Sequence, residues 1–168
     1  MRILETQRLY LREMTTADAE NAYLLNLDPE VLKYTGDEAF ESIESARVFL
    51  ENYKHYKIYG FGRWAVIHKT DNLFLGWCGL KYTPELDEID IGYRFLKKYW
   101  NQGYATEAAI ACIEIGFQKL KLQTIVGHVL KDNIASIKVL EKIGLHFFEE
   151  RKQDGDEYNV YRIENNAK

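Results

Sequence analysis

The sequence contains few of the residues that cross-link a chain or mark linkers between domains. Its 168 residues include two cysteines and two prolines. Cys78 and Cys112 lie in apolar surroundings with no partner at metal-ligand spacing, so we expect neither a disulfide framework nor a metal site. A reducing compartment suits them better. The chain also lacks repeats and low-complexity stretches, and residues 1–168 are therefore predicted to form one domain.

Other absences concern membranes and nucleic acids. No apolar run approaches the roughly 20 residues that cross a bilayer, and the N-terminal residues lack the apolar segment of a signal peptide. The net charge is −4, whereas general nucleic-acid-binding domains carry a basic excess. Hydrophobic residues make up 46% of the chain, enough for a real core. We therefore expect a cytoplasmic protein with no nucleic-acid or membrane partner.

Hydrophobic periodicity predicts the order of the secondary structure. The predicted elements are a strand around Leu9 and Leu11, helices beginning near Thr15, Asp28 and Ser42, a hairpin of 64–68 and 73–82, a strand over 88–95, a helix over 103–119, a strand over 123–129, a helix over 133–142, and strands over 145–151 and 158–163. This order predicts an α+β fold with a mixed, mostly antiparallel sheet of about seven strands and helices on both faces.

Two of these elements have predicted faces. The helix over 103–119 is expected to bury a stripe made of Ala105, Ala109, Ile113, Phe117 and Leu120. In the strand over 88–95 the side chains alternate, which places Glu88, Asp90, Gly92 and Arg94 together on the face opposite the isoleucines.

The turn between this strand and this helix has the sequence Trp100-Asn101-Gln102-Gly103-Tyr104-Ala105. The start of a helix leaves backbone N–H groups free and favours anions, and Gly103 would let a ligand approach the backbone closely. The helix dipole contributes only about 0.3–1 kcal/mol, whereas micromolar binding needs about −8 kcal/mol. A fitting ligand would add a pyrophosphate and an amide-bearing arm. Taken alone, the spacing favours an ordinary glycine bend.

Family resemblance changes this interpretation. Glu88-Ile-Asp-Ile-Gly-Tyr93 followed by Tyr99-Trp-Asn-Gln-Gly-Tyr-Ala-Thr-Glu-Ala108 resembles the acetyl-CoA-binding segment of the GNAT acetyltransferases. It is especially similar to the Rim-type branch, which acetylates the N-termini of ribosomal proteins. The segments beginning at Glu5, Asp28 and Asp132 resemble the opening strand, short second helix and late helix of that branch. The resemblance spans about residues 4–163 and implies a GNAT-like fold and an acetyl-CoA-dependent N-acetyltransferase.

The resemblance also implies where acetyl-CoA binds. The superfamily loop pattern Arg/Gln-x-x-Gly-x-Gly/Ala is matched at Gly103 and Ala105, while its first position is Trp100. The pyrophosphate would lie on the backbone amides of Asn101, Gln102, Gly103, Tyr104 and Ala105. The pantetheine arm would pair, as an added strand, with the edge formed by Tyr93, Arg94 and Phe95. The remaining expected contacts are Trp100, Thr106, Asn133 and Ser136, although Asn133 is equally compatible with capping the late helix. Lys97, Lys98 and Lys138 are either phosphate ligands or ordinary solvated lysines.

The prediction of the catalytic residues depends partly on a tyrosine that this sequence lacks. Many GNAT members use a tyrosine seven residues after the late asparagine as the acid for the leaving thiolate, and here that position is Leu140. The Rim-type branch uses a serine three residues after it, which corresponds to Ser136. Asp90 and Glu88 are the candidate bases; Asp90 is equally compatible with an ion pair to Arg94 or a lysine. Asp156, Glu157 and Tyr158 form a second candidate cluster. His68 and His128 have no suggestive spacing and are assigned no chemistry.

The acceptor is the least defined part of the prediction. Neutralising an α-amine of pKa about 7.8 at pH 7 costs roughly 1.1 kcal/mol, against about 4.6 kcal/mol for a lysine-like amine near 10.4. A peptide or protein N-terminal amine is therefore the first candidate. A polyamine, amino-acid or antibiotic acetyltransferase and a non-catalytic acyl-CoA-binding module are the alternatives. A homodimer is expected by analogy alone, and Tyr34, Tyr53, Tyr56 and Tyr59 suit either lining or packing an acceptor groove.

Overall fold

The computed structural model describes residues 1–166, which form one eight-stranded sheet with helices on both faces. The strands are β1 (Arg2–Glu5), β2 (Leu9–Arg12), β3 (Arg63–His68), β4 (Phe74–Thr83), β5 (Glu88–Phe95), β6 (Thr124–Leu130), β7 (His146–Gln153) and β8 (Asp156–Glu164). The helices are α1 (Ala19–Leu25), α2 (Pro29–Leu32), α3 (Ile43–Glu51), α4 (His55–Tyr59), α5 (Tyr104–Gln118) and α6 (Ile134–Lys142), with 3₁₀ turns at Thr16–Asp18 and Lys97–Tyr99. The predicted α+β class is confirmed.

The sheet has the order β1-β2-β3-β4-β5-β6-β8-β7, and its neighbours are antiparallel except for β5 and β6. These two strands run parallel and share a single register pair, Asp90 with Val126. By contrast, β4 and β5 are paired along the whole of β5, from Glu88 to Phe95. The sheet therefore opens along the line between β5 and β6, beyond Asp90.

Helix α5 lies close to the sheet because its buried face is made of small residues. Ala108, Ala109 and Cys112 are fully buried, and Ile113 lies beside them. A Cβ added at Gly116 would come within 3.0 Å of side chains from β4 and β6. The predicted stripe is confirmed: Ala109 and Ile113 are buried, and Ala105, Phe117 and Leu120 pack against the same core. The buried face also includes Ala108, Cys112 and Gly116, because a helix that is apolar almost all round buries more than one stripe.

The two faces of the sheet carry separate apolar clusters. Buried residues of β5 and β6 such as Ile91 and Ile125 pack with α5 and α6 on one face. On the other face Leu25 and Val31, from α1 and α2, pack against β3 and β4. Alternate residues of β5 and β6 thus point toward different helices. Side chains from both faces of the sheet can therefore contact a ligand in the opening between these strands.

Two elements were not predicted, and both are short. Strand β1 has four residues and a register irregularity between Arg2 and Leu4, so its pattern does not alternate. Helix α4 has five residues. Three of the four candidate groove tyrosines, Tyr53, Tyr56 and Tyr59, pack against aromatic neighbours in and around α4, whereas Tyr34 lines a cleft described below.

The entry into α1 rests on a buried ion pair. Asp18 is 2% exposed, receives two hydrogen bonds of 2.8 Å from Arg12 and accepts the Thr15 N–H at 2.9 Å. Burial alone would raise the pKa of Asp18, but the bonds from Arg12 and Thr15 outweigh it and lower the pKa below the ordinary value.

We expect Asp18→Asn to lower the free energy of unfolding at pH 7 by about 2 kcal/mol, less than the roughly 3–5 kcal/mol of a fully buried pair, because the Arg12 side chain is 29% exposed. Since the folded-state pKa is depressed, the stabilisation is complete above the ordinary value near 3.9 and is lost as the pH falls through the folded-state pKa. Urea unfolding at pH 7 and pH 3 measures both effects. Equal deficits at the two pH values would contradict the ionic origin, and Glu44→Gln, on the exposed face of α3, is the control.

Candidate active site

The turn before α5 has the backbone shape of an anion cradle. Asn101 and Gly103 both have left-handed backbone conformations, with φ of 60° and 80°. The Glu107 N–H bonds to the Gly103 carbonyl at 3.0 Å, so the N–H groups of Tyr104, Ala105 and Thr106 precede the first full helical bond. No side chain of residues 1–166 caps this end of the helix. Free N–H groups at the positive end of a fifteen-residue helix can receive a phosphate.

A network from the opening strand fixes this turn. Glu107, in the first turn of α5, accepts hydrogen bonds from the Thr6 hydroxyl at 2.6 Å, the Arg8 N–H at 2.8 Å and Arg8 Nε at 2.7 Å. The same guanidinium donates to the Gln102 carbonyl at 2.9 Å and lies 4.3 Å from the centre of the Tyr104 ring. Burial alone would raise the pKa of Glu107, but the bonds from Thr6 and Arg8 lower it, so the carboxylate stays charged. We call Thr6, Arg8 and Glu107 the loop clamp.

Sequence reasoning missed the loop clamp, although its members lie in two segments that carried the family resemblance. We expect Arg8→Lys to weaken acetyl-CoA binding by roughly fivefold, because a single ammonium cannot reach both Glu107 and the Gln102 carbonyl while stacking on Tyr104. Isothermal titration measures this loss. Arg47→Lys, which alters an exposed pair with Glu44, is the matched control. Unchanged affinity in Arg8→Lys would mean that the clamp does not set the shape of the turn.

Next to the turn, β5 presents an open edge. Tyr93, Arg94 and Phe95 pair with Cys78, Trp77 and Gly76 of β4 on one side, while on the other side β6 has already diverged. Trp100 Nε1 donates to the Phe95 carbonyl at 2.8 Å, which joins the turn to the end of the strand. A cleft of about 880 Å³ runs along this edge. Its lining includes Trp100, Asn101, Gly103, Tyr104, Ala105, Thr106, Tyr93, Arg94, Phe95, Asn133, Ser136 and Lys138.

Ser136 lies on the helical side of the cleft. Asn133 caps α6 by accepting the Ser136 N–H at 3.2 Å, and the Ser136 Oγ lies 3.0 Å from the Tyr93 hydroxyl. That phenol also donates to the Ser136 carbonyl at 3.1 Å, and burial raises its pKa. Leu140 is 2% exposed and belongs to the core. A tyrosine hydroxyl is thus present beside the serine after all, supplied by β5 rather than by α6.

Asp90 lies on the opposite side, but not with the expected partner. It was expected to pair with Arg94 or a lysine; instead Arg63 of β3 donates to its carboxylate at 2.5 Å and to its carbonyl at 3.0 Å. Both side chains are nearly buried, at 14% and 13% exposure. A Cβ on Gly92 would lie 2.6 Å from the Arg63 guanidinium, so glycine is needed there for the guanidinium to cross β5.

Glu88 is likewise engaged by partners. Arg151 of β7 donates to its two carboxylate oxygens at 2.6 and 3.0 Å, and His128 Nε2 lies 3.0 Å from Oε2. The bond from Arg151 is the main cause of a lowered Glu88 pKa. His128, to which the sequence assigned no chemistry, lines the cleft. The contact joins β5 to β6 across the line where the sheet opens, a relation that spacing along the chain does not reveal.

The other predicted residues lie in various places. Lys97 pairs with Glu30, Lys98 lies over the Tyr99 ring, and Lys138 is exposed at the cleft. The Gln102 side chain bonds back to the Lys98 carbonyl at 2.9 Å. Glu157 pairs with Lys131 and Lys152, while the Tyr158 ring packs against His128 with centroids 5.7 Å apart. Trp64 is core, whereas Trp77 and Trp100 line the cleft.

Arg94 holds a connecting segment over the acceptor side of the cleft. Its guanidinium donates to Asn26 at 2.9 Å and to Asp37 at 2.7 Å, and it lies 5.1 Å from the centre of the Trp77 ring. Tyr34 and Thr35, between these two partners in sequence, line the cleft. The segment between α2 and α3 therefore forms one wall of the cleft.

Comparison with known proteins agrees with this geometry. The acetyltransferase (GNAT) domain family matches residues 8–146. The chain belongs to the GNAT acetyltransferase family. YoaA, an uncharacterized N-acetyltransferase of Bacillus subtilis (strain 168), is 32% identical over 96% of both chains. The FsC-acetyl coenzyme A-N(2)-transacetylase of Aspergillus fumigatus is 31% identical over 84% of this chain and 64% of its own length. A GNAT-family acetyltransferase structure from Bacillus anthracis gives a TM-score of 0.84 at 29% identity, covering 99% of this chain and 100% of its own.

Family membership makes this GNAT protein an acetyl-CoA-dependent N-acetyltransferase, which is the activity that the resemblance implied. The GNAT fold itself, with its mixed sheet flanked by helices, is confirmed. Among residues 1–166, no group of three or more histidine, cysteine, aspartate or glutamate side chains is arranged to hold a metal ion. Within the same residues, no helix combines the length and apolar character needed to cross a membrane.

Proposed function

We propose that the chain acts as one domain that transfers an acetyl group from acetyl-CoA directly to the N-terminal amine of a peptide or protein, as in the Rim-type branch. The observation that carries this proposal is the single cleft that joins the anion cradle, the open edge of β5 and Ser136. Phosphates would lie at residues 101–105, and the pantetheine amides would pair with residues 93–95. The thioester would then lie between the two faces of the opened sheet.

Ser136 is proposed to donate a hydrogen bond to the departing thiolate. A free serine hydroxyl is a poor acid, so stabilising the thiolate is its role rather than complete proton transfer. Its 3.0 Å contact with Tyr93 supports this. When the single phenol proton turns from the Ser136 carbonyl to the Ser136 Oγ, the serine proton is free to point outward, and the bond from the phenol reinforces the outer bond.

The two carboxylates on the side of the cleft opposite Ser136 support an acceptor amine that needs little help to lose a proton. Asp90 and Glu88 were the expected bases, yet each carboxylate is held by a guanidinium. A carboxylate whose pKa is lowered, as at Glu88, is a weaker base. An α-amine costs about 1.1 kcal/mol to neutralise at pH 7, against roughly 4.6 kcal/mol for a lysine-like amine. In this proposal Asp90 and Glu88 position the side chains that they contact.

A small-molecule amine is the second candidate acceptor, because the Aspergillus relative is named as an N(2)-transacetylase that uses acetyl coenzyme A. A cytoplasmic location is part of the proposal, since the buried cysteines are free, with sulfur atoms 3.8 Å apart. A homodimer stays a prediction from analogy, which light scattering tests.

A thiol-release assay over a panel of amines tests the proposal. Short peptides with free and blocked N-termini are compared with spermidine, free amino acids and an aminoglycoside at equal concentration. We expect turnover with the free N-terminal peptides and none with the blocked ones. Faster turnover of a small amine than of any peptide would show that the proposed peptide acceptor is wrong. The absence of thiol release with every amine would show that the proposed function is wrong.

A further inference from the structure

A histidine outside the predicted site lies where the sheet opens. Two residues beyond the last register pair, Asp90 with Val126, stand Gly92 on β5 and His128 on β6. Gly92 has no side chain and the Arg63 guanidinium lies against it on this face, while the backbone edge of β5 has no further register pair with β6. The imidazole is on the face of β6 away from the buried Ile125 and Val129, which pack toward the helical cluster. It therefore faces the acceptor side of the cleft, opposite the side that carries Ser136.

The surroundings of this imidazole fix its orientation. Nε2 lies 3.0 Å from Glu88 Oε2, and a charged carboxylate there requires Nε2 to carry the proton. Glu88 is in turn held by Arg151, and the Tyr158 ring packs against the imidazole from β8. The other charged groups that line the same cleft are Glu30, Arg63, Asp90, Arg94, Lys138 and Lys142. In the neutral imidazole the remaining nitrogen, Nδ1, then has the free lone pair.

We propose that His128 is the general base of the reaction and that Glu88, held by Arg151, is its positioning residue. The inference rests on the proposed function and deepens it. Nδ1 takes one proton from the acceptor ammonium, directly or through one water. The neutral nitrogen attacks the thioester carbonyl, the carbon–sulfur bond breaks, and the thiolate leaves beside Ser136 with the electron pair. A second amine proton passes to the thiolate, and His128 releases the first proton to solvent.

Imidazole suits this role because it is the side chain that ordinarily exchanges protons between pH 5 and 8. For an α-amine acceptor at pH 7 the contribution of such a base is about sixfold, since neutralising the amine costs roughly 1.1 kcal/mol. Asp90, the alternative base on the same face, is tied up by Arg63. The arrangement also matches an α-amine acceptor, whose pKa of about 7.8 is close to the range in which an imidazole accepts protons.

The variant His128→Gln tests the inference. The glutamine amide can keep the bond to Glu88 but cannot accept a proton at pH 7. With a peptide acceptor we expect kcat to fall by about sixfold at pH 7, which corresponds to the roughly 1.1 kcal/mol that neutralises an α-amine, with the acetyl-CoA Kd unchanged. The deficit should shrink as the pH rises to about 9.5, because the amine then arrives already neutral. His146→Gln, at an exposed position of β7, should behave as the unsubstituted protein does.

Each outcome has a separate meaning. Activity of His128→Gln within about threefold of the parent at pH 7 would overturn the role of the histidine while leaving the proposed function intact. A deficit that is equal at pH 7 and pH 9.5 would assign His128 a purely structural role, which also overturns it. If the parent protein itself fails to bind acetyl-CoA or acetylates no amine, the proposed function fails and this inference fails with it.

Discussion

Gly103→Trp is expected to weaken acetyl-CoA binding by at least about 100-fold while leaving the protein folded. A Cβ at Gly103 would meet only the Arg8 guanidinium, at 3.3 Å, so the indole has no core to disturb and occupies the space in front of the cradle. A loss of 100-fold corresponds to about 2.7 kcal/mol. This matches the removal of a few charge-assisted hydrogen bonds from the free N–H groups. Isothermal titration with acetyl-CoA measures the loss.

Gly155→Trp is the matched control for this experiment. Gly155 lies in the turn between β7 and β8, has a φ of +85° against +80° at Gly103, and has open space around an added Cβ. Both substitutions therefore place a tryptophan in a left-handed conformation, which costs about 1–2 kcal/mol of stability. Similar unfolding midpoints with normal binding in Gly155→Trp would isolate the effect at the cradle. Normal affinity in Gly103→Trp would end the cofactor assignment.

Ser136→Ala is expected to lower kcat by roughly 100-fold, the usual effect of removing a donor aimed at developing negative charge. Acetyl-CoA affinity should stay within about twofold, because the serine acts on the departing sulfur rather than on the bound thioester. The fold should tolerate the change. Tyr93 keeps the carbonyl of residue 136 as a hydrogen-bond partner, and alanine favours the helix at least as well as serine does.

Two further variants refine that experiment. Tyr93→Phe removes the hydroxyl behind the serine and should lower kcat by a smaller factor than Ser136→Ala, since the outer donor remains. Ser45→Ala, at a half-buried position that closes the capping box of α3, is the control for a serine with a structural role. A kcat for Ser136→Ala within about threefold of the parent would exclude the serine from the chemistry. Equal losses in both Ser136→Ala and Tyr93→Phe would indicate a relay in which neither hydroxyl acts alone.

Most of the fold was predictable because the long elements have clean patterns. The bounds of β5 were predicted without error, and those of α5 and α6 to within one residue at each end. Two short elements, β1 and α4, were not predictable, since β1 does not alternate and α4 has neither a capping side chain nor a buried residue. The equally short β2 and α2 were predictable, because β2 alternates and α2 begins at the Asp28 cap. The stripe of α5 was predictable, whereas the additional small residues of its buried face, such as Gly116, were not, because the closest approach depends on the strands that it meets.

The site likewise has parts that could be predicted from the sequence and parts that could not. The cradle and Ser136 follow from local motifs, and the structure gathers them in one cleft. The contacts that cross between distant segments did not follow: Arg63 with Asp90, Glu107 with Arg8, and His128 with Glu88. Each joins residues at least 27 positions apart. Residue types and local spacing do not specify such pairs, because they depend on which strands become neighbours.

The single register pair between β5 and β6 has a mechanical consequence. The sheet consists of a five-stranded part and a three-stranded part that share little hydrogen bonding where they meet. In the proposed binding mode the pantetheine arm fills that seam as a short intervening strand. The substrate would then complete the architecture that holds it. Saturation with acetyl-CoA would therefore also make the two parts of the sheet harder to separate, since a ligand that bridges two parts of a fold stabilises the folded state.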